Sequence, residues 1–510
     1  MPQSYIKRIL DARVYEVARE TPIHEAALMS RRLDNRVWLK REDLQSVFSF
    51  KLRGAYCKMS RLSAEELARG VVAASAGNHA QGVAVAAQTL NVKAIIVMPR
   101  TTPLIKVDAV RRRGARVILQ GDSFEDAAKH AQALMHKHGL TFVHPFDDPD
   151  VIAGQGTVGM EIVRQRPRPL DALFVPVGGG GLIAGVAAYV NYVWPQTRIV
   201  AVEPEDAACL KLALSRGRRD KLTEVGLFAD GCAVAQIGRE PFRLIRDTVA
   251  EVITVSTDEM CAAIKDIFED TRSIAEPAGA LALAGMKKYV ETTGVSGQDL
   301  LAIVSGANSN FDRLRYISER TEIGEQREAV ICVTVPETPG SFRQFCRALG
   351  RRNITEFNYR YADAASARVF VGLSVVPGGD DLAGLLTELR QDGYATEDLT
   401  HNEVAKLHIR YMVGGHAPPD LCDERVYRVE FPERPGALLK FLTGLGRRWN
   451  ISMFHYRNHG AAYGRILLGV QIPGPEQAAF EALLDRNNFR YWEETDNRAY
   501  QLYLATLGPD

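Results

Sequence analysis

The chain has 510 residues, too many for one hydrophobic core, and length alone suggests roughly three units. Its 63 Lys+Arg balance 62 Asp+Glu, so no global field selects nucleic acid or an anionic membrane. A composition 46% hydrophobic and 25% charged is that of a soluble globular protein, and no apolar run approaches the ~18 residues of a membrane helix.

The N-terminus, M-P-Q-S-Y-I-K-R-I-L-D-A-R, lacks the basic-then-apolar layout of a signal peptide. The seven cysteines form no C-x-x-C pair and read as reduced thiols of a cytoplasmic protein. From about residue 35 to residue 325, short apolar runs alternate with helical stretches. Strands are expected at 70–75, 93–98, 115–119, 171–177, 198–202 and 300–304, with helices such as 79–90 and 182–193 between them. Near-continuous apolar runs in this alternation predict α/β layers with parallel-type sheets.

Four segments carry candidate chemistry. S-F-K-L-R-G-A (49–55) offers Lys51, which alone reads as one more surface lysine, since a free amine is protonated at neutral pH. S-A-G-N-H-A-Q-G (75–82) follows a strand and opens a helix, where small residues and backbone N–H groups suit a carboxylate or phosphate. An ordinary capped turn explains it equally well. V-P-V-G-G-G-G-L-I-A-G (175–185) is the most specific signal, because a plain turn rarely needs four residues without Cβ, whereas a phosphate cradle does. The same stretch satisfies G-x-G-x-x-A, with Glu203 about 20 residues on, which keeps a nicotinamide-dependent dehydrogenase open. L-A-I-V-S-G-A-N (301–308) sets Ser305 at the C-terminal edge of a strand, where ligands of open α/β sheets bind.

After about residue 328 the chain repeats itself. V-P-E-T-P-G-S-F…N-I-T-E-F-N-Y-R (335–360) and F-P-E-R-P-G-A-L…N-I-S-M-F-H-Y-R (431–457) align with a one-residue insertion at Trp449. Each copy predicts the β-α-β-β-α-β order of a ferredoxin-like α+β unit, with 414–422 as the linker. The domains expected are therefore 1–327, 328–413 and 423–510. Tyr359 and Tyr456 fall at equivalent positions and suit a pocket for a small branched side chain. The plainer alternative is a dimerisation module working through sheet edges.

In this order the four motifs, with E-P-A-G-A-L-A-L-A-G (276–285) and the doubled C-terminal unit, resemble the β-family (fold type II) of pyridoxal-phosphate (PLP) enzymes. Within that family the chain is most similar to the biosynthetic threonine dehydratases, over essentially its whole length. The resemblance implies a two-subdomain catalytic domain followed by two ACT-like regulatory subdomains. It implies that Lys51 holds PLP as an imine and moves the α-proton. Gly178, Gly179, Gly180, Gly181 and the Leu182 amide would cradle the phosphate, and Asn78 would meet the ring hydroxyl. Ser305 would meet the pyridine nitrogen. Ser75, Gly77, Asn78 and His79 would receive the substrate carboxylate. The implied substrate is L-threonine, with L-serine as the alternative, and a β-replacement enzyme is the nearest rival chemistry. Isoleucine as inhibitor, valine as its antagonist and a homotetramer are implied as well. Relatives that bind a divalent cation carry an acid six residues after the E-P glutamate. Here that position is Cys209, so no divalent metal is expected.

Overall fold

The computed structural model describes residues 3–500 and 504, apart from 122, 312, 325–327, 351, 362–365, 377–380, 403–404, 406–416, 418–420, 433–436, 447, 458–462, 488 and 498–499. Most of the expected linker 414–422 and the second P-G turn, Pro435-Gly436, lie outside the described residues. The chain divides into two compact units, Met1–Gly324 and Glu325–Asp510.

The first unit holds two sheets. One has four parallel strands in the order β5-β4-β3-β6: β3 is Val71–Ala74, β4 Ala94–Met98, β5 Arg116–Leu119 and β6 Thr141–Phe142. The other has six, in the order β1-β2-β10-β7-β8-β9: β1 is Ile23–Glu25, β2 Arg36–Arg41, β7 Ala172–Pro176, β8 Arg198–Pro204, β9 Glu251–Val255 and β10 Asp299–Val304. Only β1 runs antiparallel there. Successive residues of β7 explain its apolar run. Ala172 and Phe174 join one core with Leu281 of the Pro277–Thr293 helix, while Leu173 and Val175 join a second core with Ile152 and Ile183. Both sheet faces are covered, so no residue of this strand can be polar. β1, β2, β6 and β9 went unread in the sequence. β2 (R-V-W-L-K-R) carries charges at both ends, and β6 is two residues long.

The second unit is one antiparallel sheet of eight strands in the order β14-β11-β13-β12-β16-β17-β15-β18. The first repeat supplies β11 (Glu328–Pro336), β12 (Ile354–Arg360), β13 (Ser366–Ser374) and β14 (Ala395–Asp398). The second supplies β15 (Glu424–Pro432), β16 (Asn450–Arg457), β17 (Tyr463–Gln471) and β18 (Arg490–Glu493). Each repeat has the expected β-α-β-β-α-β order, with helices Ser341–Ala348, Asp381–Gln391, Ala437–Leu445 and Gln477–Arg486. The two are joined through β12 and β16, where Phe357 opposes Tyr456 and Tyr359 opposes Phe454. Because Phe357 and Phe454 are equivalent in the repeat, as are the two tyrosines, this register makes the junction a pseudo-twofold. One hydrophobic core runs through both repeats, with the Phe357 and Phe454 rings 5.3 Å apart.

Candidate active site

The site forms where strands of the first unit end. The 75–79 turn follows β3, the four glycines follow β7, and Ser305 follows β10, all at C-terminal strand edges. One cavity there is lined by Lys51, Asn78, Gly178, Gly179, Gly180, Gly181, Leu182 and Ser305, together with Phe50, Phe146, Cys232 and Glu276. Ser75 and Gly77 lie on the adjoining turn and His79 is the second residue of the Asn78–Leu90 helix, and none of the three lines this cavity.

Lys51 is the first residue of the Lys51–Met59 helix. Its flank is bonded to the Ser305 turn: the Phe50 N–H donates to the Ser305 carbonyl at 3.3 Å, and Ser49 pairs with Gly306. The helix is pressed from beneath by the Pro149–Gln165 helix, through glycines at both surfaces. A methyl at Gly154 would lie 2.5 Å from the Arg53 carbonyl oxygen, and one at Gly54 would lie 2.4 Å from Gln155 Nε2. Two residues on, Arg53 donates to Glu42 (2.8 Å) and Glu161 (2.6 Å), while Lys40 donates to Glu161 (2.6 Å). All four of these charged side chains are fully buried. Two cations face two anions, so the cluster is neutral and anchors the start of the helix. The Lys51 amine donates to the Pro145 carbonyl at 3.0 Å. Burial lowers its pKa to about 8, against the pull of Cys232 and Glu276, which favour the cation. A useful fraction is thus neutral near physiological pH, as nucleophile or base.

The glycine loop opens the Gly181–Val193 helix. Gly180, its N-cap, has φ +87°, and a side chain there would also meet Ile237. A methyl at Gly179 would lie 2.2 Å from the Phe146 ring. No acid stands in the first helical turn and no side chain caps it. That terminus therefore offers backbone N–H groups and a positive dipole end to an anion. Ser305, 4% exposed, lines the cavity and donates to the Ala278 carbonyl at 3.1 Å. An anion cradle, a buried amine and a neutral hydroxyl in one cavity fit PLP by the chemistry of their donors.

The His79 ring is engaged away from the cavity. Its Nε2 lies 2.8 Å from the Val143 carbonyl, and burial and Lys51 push its pKa down to about 3. The imidazole is neutral and gives its one N–H to that carbonyl, which leaves Nδ1 an acceptor, so only the backbone can serve an anion. Glu203, the acid of the dehydrogenase reading, accepts from the Leu210 and Lys211 N–H groups at 2.7 and 2.9 Å. It caps a helix and is not free for a ribose.

Glu276 and Cys232 were not singled out in the sequence as site residues. Glu276 is the N-cap of the Pro277–Thr293 helix yet makes no side-chain cap bond. Its carboxyl turns into the cavity and accepts from Asn78 Nδ2 at 2.5 Å. Burial, with Asp230 nearby, raises its pKa to about 7. Desolvation pushes the Cys232 thiol up to about 12. A glutamate before proline at a helix start reads as an ordinary cap, so the sequence held no signal for this role.

Residues 14–306 match the family described as pyridoxal-phosphate dependent enzyme. Residues 319–409 and 418–504 match the C-terminal regulatory domain of threonine dehydratase. A biosynthetic L-threonine dehydratase of Burkholderia multivorans is 56% identical over 98% of this chain and 99% of its own length. That of Escherichia coli is 52% identical over 98% and 97%. The solved structure of a processed threonine deaminase isoform 2 from Solanum lycopersicum superposes with a TM-score of 0.62 at 50% identity, covering 62% of this chain and 93% of that one. With its glycine loop and half-buried lysine in one cavity and its doubled C-terminal repeat, the chain belongs to the PLP-dependent biosynthetic threonine dehydratases.

Proposed function

We propose that Lys51 both anchors the cofactor and moves the substrate α-proton in a chain that converts L-threonine to 2-oxobutanoate and ammonia. The observation that carries this reading is the shared cavity, in which a partly neutral amine stands beside the glycine cradle and Ser305. PLP supplies the electron withdrawal that makes the α-proton of an amino acid removable. The protein does the rest. The Gly178–Gly181 loop and the Leu182 N–H hold the phosphate, and Asn78 faces the ring hydroxyl. Ser305 meets the pyridine nitrogen as a neutral partner. The backbone of Ser75, Gly77, Asn78 and His79 receives the substrate carboxylate. The Lys51 amine, once free, takes the proton from Cα as general base. Loss of the β-hydroxyl as water and hydrolysis of the released enamine then give the products. The site works without a divalent metal. Purified chain supplied with PLP and L-threonine, with no added thiol, should release 2-oxobutanoate. A requirement for thiol would instead indicate β-replacement, and faster turnover of L-serine would change the substrate.

The second unit is the sensor for isoleucine, with valine opposing it, in a cytoplasmic homotetramer. Support comes from a cavity between the repeats. Glu337, Thr338 and Ser341 of the first repeat face Leu442, Leu445 and Ile451 of the second. A carboxylate, hydroxyls and a branched apolar wall match an α-amino acid with a branched side chain. Asn450 donates across the repeats to Glu337 at 3.1 Å. Tyr359 and Tyr456 are buried, 3% and 1% exposed, and neither lines this cavity. Tyr359 donates to Glu337 and packs on Phe342 with ring centroids 4.8 Å apart. Glu337→Ala should raise the isoleucine concentration needed for half-inhibition.

A further inference from the structure

Asn78 is held from both sides. Asn308 donates Nδ2 to the Val47 carbonyl at 2.8 Å and to Asn78 Oδ1 at 2.6 Å. A backbone carbonyl only accepts, so the Asn308 amide can point only one way. Asn78 Oδ1 is then an acceptor, and its Nδ2 must face the opposite side, where Glu276 Oε1 takes one proton at 2.5 Å. Gln81 Nε2 closes the chain on Asn308 Oδ1 at 3.2 Å.

Glu276 has no freedom to leave this arrangement. Its N–H donates to the Gly306 carbonyl at 3.1 Å, and a methyl at Gly306 would lie 2.4 Å from Oε1. It is 3% exposed and no cation touches it among the described residues. A buried carboxyl that neither caps its helix nor pairs with a cation is costly to fold around. The fold gains nothing from it that glutamine or alanine would not supply.

We propose that Glu276, with Asn308, is a positioning residue for Asn78: the carboxyl engages one amide proton, so that the other Nδ2–H is presented at a fixed angle to the ring oxygen of the cofactor. The inference rests on the PLP reading above. A carboxylate holds the amide more tightly than a carboxylic acid does, because charge-assisted hydrogen bonds are the stronger ones. Charged groups around Glu276 act in both directions. Asp230 raises its pKa, Lys106 and Arg313 lower it, and Lys51 and the Cys232 thiol face it across the cavity. Ionisation near neutral pH therefore tightens the grip on Asn78 as pH rises.

The test uses the full-length chain stripped of PLP and titrated with PLP, followed by visible absorbance and protein fluorescence across neutral pH. Circular dichroism verifies folding. Glu276→Ala should weaken PLP binding at least ~10-fold, the scale of a lost charge-assisted hydrogen bond. Glu276→Gln still offers an acceptor to Asn78 but cannot ionise. It should bind within about threefold of the native chain, with a pH profile that loses the Glu276 bend and keeps only the one due to Lys51. Asn308→Ala should weaken binding in the same direction as Glu276→Ala. An alanine variant with native affinity and pH profile, or a glutamine variant as impaired as alanine, overturns the proposal. Native chain that takes up no PLP would instead overturn the reading beneath it.

Discussion

Burial gives Lys51 its chemistry. Free in water, a lysine is almost wholly protonated at neutral pH, and only desolvation beside Phe50 and Phe146 brings its pKa to about 8. Because the neutral amine is the form that attacks an aldehyde, PLP uptake by the stripped protein should accelerate as pH rises and level off above about 8. A uniform rate across that range, read by stopped-flow absorbance, would show the amine to be unperturbed. Arg53 serves the same residue from below. Arg53→Met leaves Glu42 and Glu161 facing Lys40 alone in a dry interior, and should destabilise the first unit by about 3–5 kcal/mol in a thermal or denaturant melt. The glycines were legible because four residues without Cβ are odd for a plain turn, whereas Lys51 and Asn78 were singled out only by the resemblance that the motifs carry together. Glu276, Asn308 and the Lys40–Glu42–Arg53–Glu161 cluster were not. Their partners lie up to 261 residues away, and singly they read as a cap, a turn residue and surface charges.

At the scale of elements, the site depends on backbones brought unusually close. The glycine loop must turn through φ +87° at Gly180 and pass the Phe146 ring at Gly179, where any Cβ would clash. Gly179→Ala should therefore displace Phe146 or the loop, costing about 1–3 kcal/mol of stability. PLP affinity should fall with it, measured by titration of the stripped protein. If affinity survives, the loop is not the cradle. The apolar strands of both sheets were readable because two helical layers cover them. The strands missed in the sequence, such as β2 and β9, have alternating or charged ends. Periodicity cannot separate such segments from helix termini.

The whole molecule is two compact units, and the second is more unified than its repeated sequence suggests. Two regulatory subdomains were expected at 328–413 and 423–510 as a pair that packs, and β12 and β16 join the two repeats in one sheet over one core. Its edge strands, β14 (A-T-E-D) and β18 (R-Y-W-E), are four residues long and largely exposed. Short charged edges make poor templates for strand addition, which favours ligand sensing over edge-to-edge dimerisation. A chain ending at Gly324 should keep threonine turnover and lose its response to isoleucine, since sensing requires a unit with two states. Undiminished inhibition of that shorter chain would place the sensor in the catalytic unit.

The central claim is that one lysine, Lys51, is both tether and base. It is tested most directly by reducing PLP-loaded protein with borohydride and mapping the modified peptide. The pyridoxyl group should appear on Lys51 alone, and a Lys51→Ala chain should show neither label nor 2-oxobutanoate formation. A label on another lysine, or threonine turnover by Lys51→Ala at the native rate, would contradict it.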